Sequence, residues 1–288
     1  MSYIVSTDSC CDLTKSYIDK RDVKTISLTY TLEGKEYPDD FGQSMGYEEF
    51  FKKVENGAMP TTSLINAQSF LDFYDPILES GIDVLHLSFS SGLSGSYQNC
   101  VIAMEELREK FPERKIIVVD TKCASMGQGL LVHMALNKRD EGMSIDDLAA
   151  WSEENKGKIC IWFTADDLNH LFRGGRLSRT AAIAGTLLSI KPVMHVDDDG
   201  KLKAVHKIKG RKKSMKCMVD MMEESAIDPG TQTVFITHGD CVEEAEKLAD
   251  MVKERFGTTD FILNYMGPVI GAHAGPGTLA IAFYGSKR

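Results

Sequence analysis

The chain has 288 residues, 43% of them hydrophobic, which is enough apolar material for roughly two domains with buried cores and no disulfide or metal staple. A formal net charge of −9 at neutral pH excludes a protein that coats nucleic acid with one basic face, although a local site can still oppose that charge to hold a small acid. The seven cysteines include no C-x-x-C pair and no cysteine–histidine cluster at zinc spacing, so they are expected to be reduced, buried thiols of a cytoplasmic protein. MSYIVSTDSC enters a strand directly, without the basic and apolar regions of a signal peptide, and no run reaches the ~18 apolar residues of a membrane span.

Short β-rich runs alternate with longer stretches of helical period, the pattern of a parallel α/β sheet. The first half carries YIVST (3–7), VKTISLTYTL (23–32), VLHLSF (84–89) and KIIVVD (115–120) as predicted strands. Gly34 interrupts two extended pieces in LEGKEY (32–37), which predicts a hairpin or an irregular arm. Pro76 falls inside the helical pattern SFLDFYDPILESG (69–81) and predicts a kink or break. After a helix near 144–155 come the strand GKICIWF (157–163), a helical segment, and KPVMHVDDDGKLKAVHKI (191–208), two strands turned at Asp199-Gly200. Helices at about 211–225 and 242–256 alternate with TVFITH (233–238), FILNYM (261–266) and TLAIAFYG (278–285). A hairpin among α/β units implies a mixed sheet. The expected architecture is two α/β domains: a Rossmann-like parallel-sheet domain over 1–156 and a mixed-sheet domain over 157–288, closely packed because no Pro/Ser-rich linker divides them.

Ligands of parallel α/β sheets bind at the carboxyl ends of strands, and SFSSGLSGSYQ (88–98) lies at such an end, ahead of a helix. Its glycines let the backbone approach a ligand, and free N–H groups at the helix start favour an anion. The nucleophile elbow G-x-S-x-G fails at its last fixed position, where Ser96 stands in place of glycine. Ser94 is thus open to three readings: a helix cap, a hydrogen-bond donor, or a nucleophile served by His273. MPTTSLIN (59–66) brings Thr61, Thr62 and Ser63 just ahead of a helix, and capping explains one of these hydroxyls. In DSCCDL (8–13) a lone Asp8 is a weak metal ligand and suits the fixing of neighbouring loops better.

LFRGGRLSRTAAIAG (171–185) sets Arg176 between Gly175 and Leu177, before an Ala-rich helix capped by Ser178; the arginine either faces an anion at the interdomain cleft or makes a surface salt bridge. GPVIGAHAGPG (267–277) surrounds His273 with glycines and prolines, as ligand-wrapping loops do, although a lone histidine is equally at home in a core. KLKAVHKIKGRKKSMK (201–216) holds eight Lys/Arg and no acid: a solvated face, or a docking patch for an acidic partner or membrane surface.

Taken together, these stretches resemble the DegV family of bacterial fatty-acid-binding proteins, end to end over 3–286 as one unit. The resemblance rests on Asp8, Ser9, Asp12 and Leu13; on Thr62-Ser63; on S-S-G-L-S-G at Ser90 to Gly95; on G-G-R at Gly174 to Arg176; on Lys191-Pro192; and on G-P-V-I-G-x-H-x-G-P-G at 267–277. It implies a long-chain fatty acid such as palmitate, buried in an apolar pocket, with Thr62 and Ser94 holding the carboxylate and Ser63, Ser91, Gly95, Arg176 and His273 close by. It further implies a lipid carrier rather than an enzyme, without cofactor or metal, that presents the carboxylate to a separate ATP-using kinase subunit docking near Arg176 and 201–216. No G-x-x-x-x-G-K-[ST] nucleotide loop is present to do that chemistry alone. Two other readings stand beside this one: a serine hydrolase of acyl esters, with Ser94 as nucleophile and His273 as base, and a regulator binding nucleic acid through 201–216.

Overall fold

The computed structural model describes residues 3–178 and 190–288. The strands of its first half are β1 (Tyr3–Asp8), β2 (Lys24–Ile26), β3 (Thr29–Leu32), β4 (Lys35–Pro38), β5 (Thr61–Ser63), β6 (Asp83–Ser88) and β7 (Ile116–Asp120). Four of them form a parallel sheet in the order β2-β1-β6-β7, with β1 and β6 fully flanked and therefore almost wholly buried. The predicted strand 23–32 is divided. Leu28 breaks it: its N–H donates to Ser9 Oγ at 3.1 Å and its carbonyl accepts from Asp39 N at 2.8 Å, so neither is free for the β2 ladder. The second piece, β3, joins a separate antiparallel sheet in the order β4-β3-β5. LEGKEY is indeed a hairpin, turned by Glu33 and Gly34, both at positive φ, with Leu32 opposite Lys35.

Pro76 does not break its helix, which runs unbroken from Ala67 to Glu79. The proline removes the donor for Asp72, whose carbonyl belongs to an exposed residue and can bond to water instead. The helix is capped by Asn66, whose side chain accepts from Ser69 N at 2.8 Å, so none of the three hydroxyls of 61–63 caps it. The Ala-rich helix expected after Ser178 lies outside the described residues.

The second half carries β8 (Ile159–Thr164), β9 (Ile190–Val196), β10 (Leu202–Lys209), β11 (Val234–His238), β12 (Phe261–Tyr265) and β13 (Leu279–Tyr284). They form a mixed sheet in the order β10-β9-β8-β13-β11-β12, antiparallel except for the β11–β12 pair. The β9–β10 hairpin turns where expected, with Gly200 at φ +75 and Asp197 Oδ1 accepting from the N–H groups of Asp199 and Lys201. Its tip lies on the serine loop of the first half: Ser90 Oγ donates to the Gly200 carbonyl at 2.8 Å.

One helix, Ser125–Asp140, is sandwiched between the two main sheets and buries residues on every side of its first two turns. Two glycines allow this. A Cβ on Gly127 would fall 2.1 Å from Ile161 Cδ1 in β8, and one on Gly129 would fall 2.6 Å from the Cys11 carbonyl oxygen after β1. Alanine is normally about 1 kcal/mol better than glycine inside a helix. Gly129→Ala is nevertheless expected to destabilise by about 1–3 kcal/mol, because a backbone carbonyl cannot step aside. Urea unfolding reads the sign, and a stabilised variant would show that the contact has slack.

Candidate functional site

An apolar cavity of about 190 Å³ lies between the sheets, many times the roughly 15 Å³ that a single water needs. Its walls come from both halves: Leu28, Phe89 and Ala124 on one side, Ile161, Phe163 and Ala280 on the other. Thr62, Ser63, Ser94, Gly95, Arg176 and His273 line it as well. Leu64 also lines it yet is 50% exposed, which marks the mouth. Four sequence-predicted clusters, widely spaced along the chain, thus meet at one place.

Thr62 sits on β5, opposite Tyr30 of β3, so the small antiparallel sheet and not a helix cap aims its hydroxyl. Its Oγ1 lies 2.8 Å from His273 Nε2, on the helix Pro268–Ala274. Burial pushes the His273 imidazole down to about 4, and the nearby Arg176 acts in the same direction, so the ring is neutral at physiological pH. Its Nδ1 is buried without a hydrogen-bond partner among the described residues and faces Gly174, where a Cβ would fall 2.1 Å away. The first glycine of G-G-R is therefore required by the imidazole packed against it.

Ser94 Oγ accepts from Ser96 N at 3.2 Å and shares a hydrogen bond with Ser96 Oγ at 3.0 Å. Ser96 Oγ in turn accepts from Ile65 N at 3.1 Å, tying the serine loop to the segment just after the strand that carries Thr62. The arrangement does not assemble a hydrolytic dyad: His273 Nε2 bonds Thr62, Ser94 bonds Ser96, and no carboxylate orients Nδ1 among the described residues. Ser91 departs from the expected head-group set. It is exposed and turned outward, with Lys122 Nζ donating to its Oγ at 2.7 Å and its N–H donating to Asp120.

Arg176 is half-buried and makes no salt bridge among the described residues. Its Nε donates to the Leu93 carbonyl at 3.1 Å and its Nη1 to the Gly174 carbonyl, which joins the serine loop to the G-G-R turn. Burial lowers its affinity for the proton, as expected of a cation with no acid beside it. Among the described residues it is the one charged side chain lining the cavity.

Behind this shell lie three buried carboxyl groups. Asp8 accepts from Phe89 N at 2.8 Å and Cys10 N at 3.1 Å, fixing the ends of β6 and β1, the role its setting suggests in the sequence; burial pushes it up to about 6. Asp12 accepts from Gly267 N at 2.9 Å and from Ser125 Oγ, and burial pushes it up to about 7. Asp39 accepts from Val269 N at 3.3 Å and is raised well above the usual carboxylate range, by burial first and then by Asp12. Asp12 and Asp39 together hold the start of the helix that carries His273. Asp39 has no sequence signal: its partner is 230 positions away.

The basic stretch 201–216 is divided in space. Lys203, Lys207 and Lys209 are exposed on the edge strand β10, whereas Arg211 pairs with Glu244 and Asp166, and Lys216 pairs with Asp220. No helix among the described residues is long and apolar enough to cross a membrane.

The fold and cavity define an α/β protein of two main sheets and a small third one, with an apolar interior reached through hydroxyls and, among the described residues, one arginine. The chain belongs to the DegV family, whose sequence profile matches residues 3–286. It is 44% identical over 286 residues to a DegV domain-containing protein of Clostridium perfringens, covering 99% of this chain and 98% of that one. Among solved structures it resembles the fatty acid binding DegV family protein of Streptococcus agalactiae, with 30% identity, a TM-score of 0.84 and full coverage of both chains (100% each). It also resembles a DegV family protein of Thermus thermophilus described for its fatty acid binding, with 29% identity and a TM-score of 0.86 over 99% of this chain and 100% of that one.

Proposed function

We propose that this protein binds one long-chain fatty acid in the cavity, with the carboxylate held by Thr62 and Ser94 and with Ser63, Gly95, Arg176 and His273 around it. The observation that carries this reading is an apolar chamber whose lining, among the described residues, has one cation and a set of hydroxyls at the mouth. That is the complement of an amphipathic anion. The Streptococcus agalactiae and Thermus thermophilus relatives, described as fatty acid binding, support it.

Each buried methylene contributes ~0.8 kcal/mol, so a palmitate tail supplies roughly 10 kcal/mol gross before the ordering costs of association. A carboxylate left unpaired at the mouth would cost several kcal/mol, which the hydroxyls and Arg176 offset. His273 contributes by position. In the tautomer with its proton on Nε2 it donates to Thr62 Oγ1, leaving the Thr62 proton free for the ligand. The two halves, residues 1–156 and 157–288, act as domains that clasp the tail between them. The protein is then a cytoplasmic carrier that presents the carboxylate at the Leu64 mouth to an ATP-using partner making acyl phosphate, which docks near Arg176 and β10.

Native mass spectrometry or lipid extraction of the purified protein should show about one fatty acid per chain. A ligand-free protein that also ignores added palmitate and oleate would sink the proposal. The double variant Thr62→Ala, Ser94→Ala removes two hydrogen bonds to a charged group, each worth about 1.5–3 kcal/mol. It should bind palmitate at least about 100-fold more weakly, with its unfolding transition intact.

A further inference from the structure

Lys122 and Ser125 both sit at positive φ, +53 and +51, where β7 joins the helix Ser125–Asp140. A residue with a side chain keeps that backbone only where its surroundings fix it. One fixing group is Arg288, 166 positions from Lys122. Its guanidinium has five N–H groups and meets five backbone carbonyls. Nε donates to Ile159 at 2.9 Å, Nη1 to Lys122 at 2.6 Å and Asp197 at 3.1 Å, and Nη2 to Thr121 at 3.2 Å and Lys156 at 2.7 Å. Nη2 also meets Cys123 Sγ. One side chain thus ties the turn after β7 to the start of β8 and to the β9–β10 hairpin.

That turn is also the seat of the serine loop. The Cys123 carbonyl accepts from Ser90 N at 3.0 Å, Asp120 Oδ1 accepts from Ser91 N at 3.2 Å, and Lys122 Nζ donates to Ser91 Oγ at 2.7 Å. The Ser90 carbonyl in turn accepts from Ser94 N at 3.1 Å. A continuous run of bonds therefore leads from Arg288 through residues 120–123 to Ser94. We infer that Arg288 is a positioning residue of the head-group site: it sets Ser94, on the first half, against Arg176 and His273, on the second. It does so from outside, since Arg288 does not line the cavity. This rests on the fatty-acid reading of that cavity. Ser90 Oγ on the Gly200 carbonyl and Arg176 Nε on the Leu93 carbonyl hold the loop as well, so loss of Arg288 weakens the site without abolishing it.

The test compares wild type, Arg288→Ala and Arg288→Lys by calorimetry with palmitate and hexadecanol, and by hydrogen exchange of the ligand-free protein. Arg288→Ala should bind palmitate roughly tenfold more weakly, about one hydrogen bond to a charged group, while hexadecanol loses at most about twofold. Amides of 88–95 and 121–125 should exchange faster in this variant. Millimolar methylguanidinium, which refills the ring of carbonyls, should recover both the slow exchange and the affinity. Arg288→Lys, with a compact ammonium in place of the planar fork, should fall between. Equal loss of palmitate and hexadecanol would mean a general loosening and overturns the proposal. So does unchanged palmitate affinity, or a loss that methylguanidinium leaves as it is. A wild type that binds neither ligand overturns the fatty-acid reading instead, and the exchange rates with and without methylguanidinium still decide whether Arg288 holds the serine loop.

Discussion

Replacing Arg176 with alanine should weaken palmitate binding by roughly 100- to 1000-fold. Among the described residues the guanidinium is the one charged group lining the apolar cavity, and no carboxylate pairs with it. Removing one partner of a partly buried ion pair leaves the other charge unpaired, a loss of about 3–5 kcal/mol in comparable settings. Arg176 also ties Leu93 to Gly174, so a purely positional loss must be distinguished from an electrostatic one. Hexadecanol makes the distinction: an uncharged head should bind the variant almost as well as it binds the wild type. If hexadecanol and palmitate fall together, the arginine acts by holding the two loops and not by meeting the carboxylate. Arg176→Lys restores a charge without the fixed fork, and intermediate affinity is expected.

The second large effect concerns pH. Asp12 is pushed up to about 7 in the folded protein by burial, against an ordinary carboxylate value of 3.8. The folded state then holds a proton that the unfolded chain has released, so stability falls as pH rises from about 4 to about 7. About three pKa units correspond to roughly 4 kcal/mol from this one group. Asp12→Asn should remove that part of the slope, its amide oxygen still accepting from Gly267 N while Ser125 Oγ turns to accept from the amide. Asp39, raised by burial and then by Asp12, loses one of its two main causes in the variant and flattens the profile further. His273 works in the opposite sense: its lowered pKa adds stability as pH rises from about 4 to about 6.5, and this contribution is common to both proteins. Urea unfolding at pH values on either side of the window gives the difference directly. Identical slopes for wild type and Asp12→Asn would show that Asp12 is ionised in the fold throughout.

Local chemistry made much of the architecture legible. Alternating apolar runs placed β1, β6, β7, β8 and β11 to β13, and Asp199-Gly200 placed the hairpin, because strands and turns are decided by near neighbours. What failed was decided at long range. Leu28 gives its backbone bonds to Ser9 and Asp39, so an apparently continuous strand divides and Thr62 gains a β-sheet partner in Tyr30. The 2.8 Å contact between Thr62 and His273 spans 211 positions, and Asp39 reaches Val269 across 230. Neither has a periodicity to betray it. Ser91 shows the limit within a motif. One residue from Ser90, which holds the hairpin tip, it points to Lys122 instead, and residue type alone does not record which way a loop side chain turns.

The helix Ser125–Asp140 has a bearing on how a ligand could come and go. Its glycines bring its backbone within contact of Ile161 on one side and of the Cys11 carbonyl on the other. A wedge seated that closely does not let the two sheets swing apart like the valves of a shell, because either face would have to lose close packing over the whole helix. Any passage is then left to the rim, where Ser63, Leu64 and Gly95 line the cavity and are exposed. On the proposed fatty-acid reading, a cargo enclosed by so braced a frame should leave slowly unless the rim is displaced.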